Sequence, residues 1–435
     1  MRTTKTFQTG IDFETFKQRL LAWGGTKVEA IFMDSNQTEH LYNDYEAILA
    51  VEAFTAIKTD HADAFEQLKD YQLSTKDWLF GYLGYDLKND TEAITSSNED
   101  CLQFPELYFI QPKKIWLLKA DRIEAHYLDY VADEIESDFD AISNATILKH
   151  MAEPLSFSPK CKKEDYVVKA QQILEHIQRG DLYEVNFCQE FYSENTQINP
   201  LATFQRLNSV SKAPFACFLK LEHFHALGAS PERFLKKKGN KLISQPIKGT
   251  AKRGDTDEKD KELKTNLSTD LKEVSENVMI VDLVRNDLSK TAKKSSVEVE
   301  EFCEIYTYEQ VHQMVSTLVS EVKEEYSVPE ILKSLFPMGS MTGAPKRSAM
   351  EIAEQYESTK RGLYSGAIGY ITPEHDFDFN VVIRTLLYNS ETHYLSYMVG
   401  SALTAKAKPE QEYEECLVKG KALQYIVNDT PVTKN

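Results

Sequence analysis

The stretch FHALGASPERFLKKKGNKLISQPIK, residues 224 to 248, sets the reading of the fold. Two apolar runs meet at Gly239-Asn240, a pair that reverses the chain in β-hairpins. The segment therefore predicts two strands lying antiparallel. Lys236, Lys237 and Lys238 fall on the exposed shoulder of the turn, as solvated side chains rather than a binding site.

On the N-terminal side of this hairpin, Tyr166, Ala170, Ile173, Leu174 and Ile177 share one helical face, and Gly180-Asp181 ends the pattern. Tyr183, Val185, Phe187, Gln189 and Phe191 then alternate as in a strand, leaving Glu184 and Asn186 on the opposite face. On the C-terminal side, Leu267, Leu271, Val274, Val278 and Val281 predict one long helix from about residue 257 to 288. A last helix is expected near Pro409, with Glu410, Glu412, Glu414 and Glu415 in its opening turns. Residues Trp78 to Tyr85 read as a buried strand with close-packing glycines, and Lys88 to Asp100 as a surface loop. Prolines and lysines between Glu153 and Lys163 mark a boundary. Residues 1–150 are expected to form an N-terminal subdomain interleaved with a catalytic unit at 151–435.

The composition is globular: 42% hydrophobic and 27% charged residues in a chain of 435. A formal charge of -18 excludes the basic footprint of non-specific nucleic-acid binding and gives no anchor for an anionic membrane, so neither partner is expected. An anionic substrate would need its own local cations or a metal. No apolar run approaches the length of a membrane span, and the N-terminus lacks the apolar core of a secretion signal, so a cytoplasmic protein is expected. The six cysteines have no CxxC spacing and read as reduced, mostly buried thiols.

Glu273 and Glu276 are three apart on one predicted helix, and Glu412 and Glu415 are three apart on another, so each pair projects from one face. Such pairs are either solvated surface or hard oxygen ligands for a cation such as magnesium. Lys419 shares the face of Glu415, as an ion pair or a substrate contact. Arg384 ends the apolar run Phe379-Asn380-Val381-Val382-Ile383, where its guanidinium would either grip a carboxylate or close a buried ion pair. Lys248 precedes a glycine that lets something approach the backbone; desolvated, it would lose charge and become a nucleophile. Glu232, on the other arm of the hairpin, is within plausible reach of it as an acid or as a salt-bridge partner.

Seven segments together resemble the chorismate-utilising enzymes. They are Ala-Ser-Pro-Glu-Arg-Phe (229 to 234), Pro-Ile-Lys-Gly-Thr (246 to 250), Glu-Asn-Val-Met-Ile-Val-Asp-Leu-Val-Arg-Asn-Asp-Leu (276 to 288), Gly-Ala-Pro-Lys (343 to 346), Tyr-Ser-Gly-Ala-Ile-Gly-Tyr (364 to 370), Val-Ile-Arg-Thr (382 to 385) and Glu-Tyr-Glu-Glu-Cys-Leu-Val-Lys (412 to 419). They occur in the family's order. The resemblance implies an α+β fold in which two large antiparallel β-sheets face each other, helices flank them, and the active site lies in the cleft between; the hairpin and helix patterns agree with this. It implies Mg2+ ligation by Glu276 and Glu415, with Glu273 and Glu412 acting through waters. It puts Glu232 at the general-acid position, Tyr364 and Arg384 at the enolpyruvyl carboxylate, and Lys419 with the turn at Gly400 near the ring carboxylate of chorismate.

Position 248 separates the branches of this family. Anthranilate synthases carry alanine there, whereas aminodeoxychorismate synthases carry the lysine seen here, so the resemblance favours amination of chorismate at C4 over the anthranilate alternative. Isochorismate and salicylate synthases carry a water-activating lysine at position 184, which is Glu184 here. Three departures stand out. Gly400-Ser401-Ala402 replaces a glycine-rich turn, Gln313 replaces a common histidine beside His312, and Glu184 replaces a glutamine often found in aminating relatives. No Gly-x-Cys-x-Gly nucleophile turn is present, so ammonia is expected from a separate glutamine amidotransferase subunit.

Overall fold

The computed structural model describes residues 1–8, 12–38, 42–147, 155–309 and 311–427. Of the boundary expected at Glu153 to Lys163, Glu153 and Pro154 lie outside them. The organising element is the strand Leu107–Leu118, which pairs along its whole length with Ala47–Thr59. Its opposite edge is divided: Leu107 to Ile110 pair with Leu79–Leu83, and Lys114 to Leu118 pair with Ile123–Leu128. Two antiparallel sheets diverge from this fork.

One sheet continues from Ala47–Thr59 through Ala30–Asp34, Phe215–Leu221, Phe224–Ser230, Thr385–Asn389 and Tyr394–Thr404 to Glu184–Ser193. The other continues from Leu79–Leu83 through Ala367–Ile371, Phe377–Val381, Arg233–Lys238 and Lys241–Gln245 to Val311–Glu321. That last strand also pairs with Ile247–Lys252 and, on its far edge, with Glu298–Thr307. Strands from the first 150 residues therefore pair directly with strands from the remainder of the chain.

Alternation along the first sheet sorts its side chains between two cores. Ile31, Ile48, Ala50, Leu219, Ala226 and Leu387 face a core shared with Phe80, Leu235, Ile368 and Phe379 of the second sheet. Their neighbours Ala30, Phe32, Leu49, Phe218, Leu227 and Leu386 face outward onto the helices Phe13–Gly25, Ile135–Ser143, Pro200–Ser211 and Pro409–Val427. Each large side chain buried in this way contributes about 1.5–3 kcal/mol. This is the expected α+β architecture, with helices Ala64–Thr75, Leu271–Ser289 and Val328–Leu335 packed against the shared core. Among the described residues no helix is long and apolar enough to cross a membrane.

The helix Lys163–Arg179 ends where the sequence predicts, at Gly180, whose φ of 85° lets its own and the next backbone N–H close onto Ile177 and His176. The chain reverses at Gly239-Asn240 as expected, but residues 224 to 248 do not form two strands. Pro231 and Pro246, each lacking an N–H, break them into Phe224–Ser230, Arg233–Lys238, Lys241–Gln245 and the start of Ile247–Lys252. Lys236 is buried against Asp44 and Asp378 rather than solvated on the turn; only Lys238 is well exposed. The strand Glu184–Ser193 is buried on both faces, while Tyr183 lies outside it and is exposed.

The long helix at 257 to 288 is two helices, Asp257–Thr269 and Leu271–Ser289. Asp270 takes an extended backbone, and its carboxylate accepts from the N–H groups of Lys272 and Glu273 as an N-cap. The break rotates the second helix, so Leu271 and Val278 are exposed and Asn277, Ile280, Val281 and Val284 turn inward. Lys88, expected on a surface loop, is buried between Asp86 and Glu354.

Gly81 sits in the central strand next to the fork, where a Cβ would lie 2.0 Å from the carbonyl oxygen of Tyr108. The obstruction is backbone, so repacking side chains cannot relieve it. Gly81→Val is expected to lower stability by about 2 kcal/mol or more, measured as a fall in the urea midpoint; an unchanged midpoint would show that the fork tolerates a side chain.

Candidate active site

The far ends of the two sheets face each other across a cleft of about 620 Å³. It is lined by strands 184–193 and 394–404 of one sheet, by 247–252 and 311–321 of the other, and by the helices Leu271–Ser289 and Pro409–Val427. All ten side chains or backbone positions that the sequence singles out meet there: Glu232, Lys248, Glu273, Glu276, Tyr364, Arg384, Gly400, Glu412, Glu415 and Lys419.

Lys248 owes its direction to a β-bulge. Ile247 pairs with Val315 and Thr250 with Gln313, so Lys248 and Gly249 together oppose Met314 alone. Gly249 absorbs the distortion with a φ of 90°, and a Cβ there would press on Glu273 at 3.1–3.3 Å. The Lys248 Nζ donates to Glu184 Oε1 at 2.9 Å. Burial opposes the ammonium charge, but Glu184 outweighs it, with Glu276 and Glu232 adding to the effect, and holds Lys248 above the ordinary lysine value. The expectation of a lysine neutralised by desolvation is thus overturned: a carboxylate partner keeps it charged.

Glu232 lies between two strands, just after Pro231, and is buried. Ser340 Oγ donates to its Oε1 at 2.6 Å. Burial lifts the Glu232 carboxyl to about 7, against the opposing pull of Ser340 and Lys248. A carboxylic acid that is substantially protonated near neutrality can donate a proton, which is the requirement for a general acid.

Across the cleft, Arg384 occupies the break between strands with a φ of 53°, a strained conformation for a side-chain-bearing residue, and donates to the carbonyl of Lys419 at 3.0 Å. Its guanidinium has no carboxylate partner among the described residues, and burial lowers its pKa, with Tyr364 and Glu415 opposing. It is a cation available to an anion. Lys419 bridges Glu415 at 2.7 Å and the carbonyl of Gly400 at 3.0 Å. A Cβ on Gly400 would lie 2.7 Å from Asn186 Oδ1 and Cys188 Sγ, so any side chain there would have to displace both. Gly400, Ser401 and Ala402 do not form a turn but lie within the strand Tyr394–Thr404, paired with Cys188, Phe187 and Asn186, and Ser401 donates to Glu412. Gln313 faces the cleft with its carbonyl oxygen unpartnered, and His312 points away to Asp260.

Glu273, Glu276, Glu412 and Glu415 line one side of the cleft, and Lys272 stands in the field of all four. Burial raises Glu276 to about 7, with Glu184 and Glu273 adding to it against Lys248 and Lys272. Burial also works against ionisation of Glu415, but Lys419 holds it below the ordinary range. Among the described residues no three acidic, His or Cys side chains already converge as a metal site. The donor set nevertheless fits a hard divalent cation: every donor is a carboxylate oxygen, and a lysine already stands among them as a cation in the present arrangement.

Several supporting residues escaped the sequence reading. Ser340, next to the Gly-Ala-Pro-Lys segment, carries no signal of its own beyond a small polar residue among glycines. Lys346 of that segment is structural: it bonds Asp287 at 2.6 Å and the carbonyl of Leu335, locking the 276 to 288 segment in place. Arg361 is buried and binds Glu357 together with the carbonyls of Met341 and Asn186, tying together three segments of the cleft wall next to Tyr364.

The raised carboxyl of Glu232 has a thermodynamic consequence of defined sign. Its folded value lies above the ordinary 4.5, so its contribution to stability is full below that value and is lost as pH rises through about 7. Glu232→Gln, neutral at every pH, should match the wild type near pH 5 and become more stable than it above neutrality, by on the order of 2 kcal/mol near pH 8.5. Thermal melts across pH test this; a stability gap that does not widen would contradict a buried neutral acid.

The chorismate binding enzyme family matches residues 19–425. The aminodeoxychorismate synthase component 1 of Bacillus subtilis is 31% identical over 382 residues, 84% of this chain and 79% of the relative. The anthranilate synthase component 1 of Aquifex aeolicus is 31% identical over 370 residues, 80% of this chain and 74% of the relative. The crystal structure of anthranilate synthase component I from Streptococcus pneumoniae superposes with a TM-score of 0.77 at 23% identity, covering 89% of this chain and 94% of that one, a likeness of fold. With the fold, the cleft and the matched length in agreement, the chain belongs to the chorismate binding enzymes.

Proposed function

We propose that the chain is the synthase component of an aminodeoxychorismate synthase, replacing the 4-hydroxyl of chorismate with an amino group to give 4-amino-4-deoxychorismate, a precursor of 4-aminobenzoate and folate. Ammonia would come from glutamine through a separate amidotransferase subunit. The observation that carries the reading is Lys248, turned into the cleft by a bulge and facing the same space as Glu232. Relatives named for 4-amination and for anthranilate formation are equally identical overall, so the choice rests on this side chain. A cytoplasmic setting is supported by six cysteines without a disulfide.

Arg384 and Tyr364 would hold the enolpyruvyl carboxylate, and Lys419 with the strand backbone at Gly400 the ring carboxylate, fixing the ring for displacement. Glu276 and Glu415 would hold magnesium directly and Glu273 and Glu412 through waters; when bound, the ion supplies positive charge that neutralises and orients the ring carboxylate. Glu232 protonates the departing 4-hydroxyl while Lys248 Nζ adds at C2 with a shift of both conjugated ring double bonds. Ammonia then adds at C4 and expels the lysine.

Incubation of the pure chain with chorismate, magnesium and ammonium, followed by product identification, tests the reading. The 4-amino product is expected with ammonium, none with glutamine alone until an amidotransferase is added, and none in excess chelator. Anthranilate or isochorismate as the main product would overturn it.

A further inference from the structure

We infer that Glu184 is itself a catalytic residue, the proton acceptor that converts the Lys248 ammonium into the amine that attacks the substrate. The inference rests on the amination reading above and adds to it a step which that reading leaves without an agent. A protonated lysine has no lone pair, and Lys248 is held protonated in the resting site.

Three observations identify Glu184 as the agent. Its Oε1 is 2.9 Å from Nζ, and among the described residues it is the side chain that hydrogen-bonds this nitrogen. Glu276 and Glu232, the other acids nearby, act on Nζ only through space, and Glu232 has an oxygen engaged by Ser340. Second, Glu184 is 2% exposed, yet its Oε2 has no hydrogen-bond partner. A buried carboxylate serving only as a counter-ion would be expected to satisfy both oxygens, whereas this one keeps a lone-pair site open. Third, its position is rigid. Glu184 pairs with Ala344 on one side and Thr404 on the other, and a Cβ on Gly343 would lie 2.1 Å from its carbonyl oxygen. The bulge fixes Lys248 equally, so the proton has a short and defined path.

The steps balance. One Nζ–H bond breaks and an O–H bond forms on Glu184, leaving neutral Nζ. Its lone pair forms the bond to C2, both conjugated ring double bonds shift, from C1=C2 to C1=C6 and from C5=C6 to C4=C5, and the C4–O bond breaks as Glu232 delivers its proton, releasing water. The secondary ammonium at C2 then leaves as neutral Nζ when ammonia bonds to C4. The new C4 ammonium returns a proton to Glu232, and Glu184 returns its own to Nζ.

The test is the rate at which chorismate becomes attached to Lys248 when ammonia is withheld, followed by quenching and intact mass, in the wild type, Glu184→Gln and Glu184→Asp. The two roles open to Glu184 predict opposite signs. As proton acceptor, its replacement by glutamine slows attachment about 10²- to 10⁴-fold, with chorismate affinity changed less than about threefold and part of the rate restored by aspartate. As a mere counter-ion that keeps the amine protonated, its replacement leaves attachment unchanged or faster, which overturns the inference. If Glu184→Gln does not fold, Glu184→Asp decides: slower attachment with intact binding supports the role, and the wild-type rate overturns it. No attachment in the wild type overturns the lysine step and Glu184's role together, whereas attachment at equal rates with and without the carboxylate overturns Glu184 alone.

Discussion

The strand Leu107–Leu118 hydrogen-bonds to three other strands, and the divergence this forces creates the space in which chemistry can occur. One edge of a strand can serve one continuous ladder; here the second edge is divided, so two sheets leave it in different directions. Near the fork they share a core of aromatic and aliphatic side chains. At their far ends, strands 184–193 and 394–404 face strands 247–252 and 311–321 across the cleft. The glycines that let the fork close, Gly81 and its cross-strand partner Gly369, are as necessary to the site as the residues that line it.

The second constraint is charge. In a chain of formal charge -18, the cleft is lined by the carboxylates Glu232, Glu273, Glu276, Glu412 and Glu415, with Glu184 beside Lys248 as a sixth, against five cations, Lys248, Lys252, Lys272, Arg384 and Lys419. Burial lifts Glu232 and Glu276 to about 7, so near neutrality part of the acidic charge is neutralised and the cations are close to balancing the rest inside an acidic protein. That concentration of cations suits a dianionic substrate, and Arg384, with no carboxylate hydrogen-bonded to it among the described residues, is the cation left to receive one. The same desolvation that makes Glu232 an acid fails to make Lys248 a base, because Glu184 stands beside it. One environment, two outcomes, and the difference is a single partner.

What could be read from the sequence was local or carried by motif. Gly239-Asn240, Gly180 and Pro409 punctuate the chain where structure begins or ends, because turn and cap chemistry acts over a few residues. Of the ten residues gathered in the cleft, eight stand out by helical spacing or local pattern with two readings open, Tyr364 and Gly400 only through the order of short segments, and that order is what chooses between the readings. The break at Asp270 was in principle readable, since Asp270 followed by Glu273 has the form of a helix start, but an unbroken apolar period ran across it. The burial of Lys236 depends on Asp44 and Asp378, and the charge of Lys248 on Glu184, partners 192, 142 and 64 residues away. No local pattern carries such information; the sheet pairings create it.

The account turns on Lys248, since the same cleft with alanine at this position would resemble the branch that aminates C2. The most direct measurement is therefore the product and rate of Lys248→Ala with chorismate, magnesium and ammonium, alongside chorismate binding. The account predicts loss of the 4-amino product by roughly 10²- to 10⁴-fold with binding retained. Formation of 4-amino-4-deoxychorismate by the variant at the wild-type rate would contradict it.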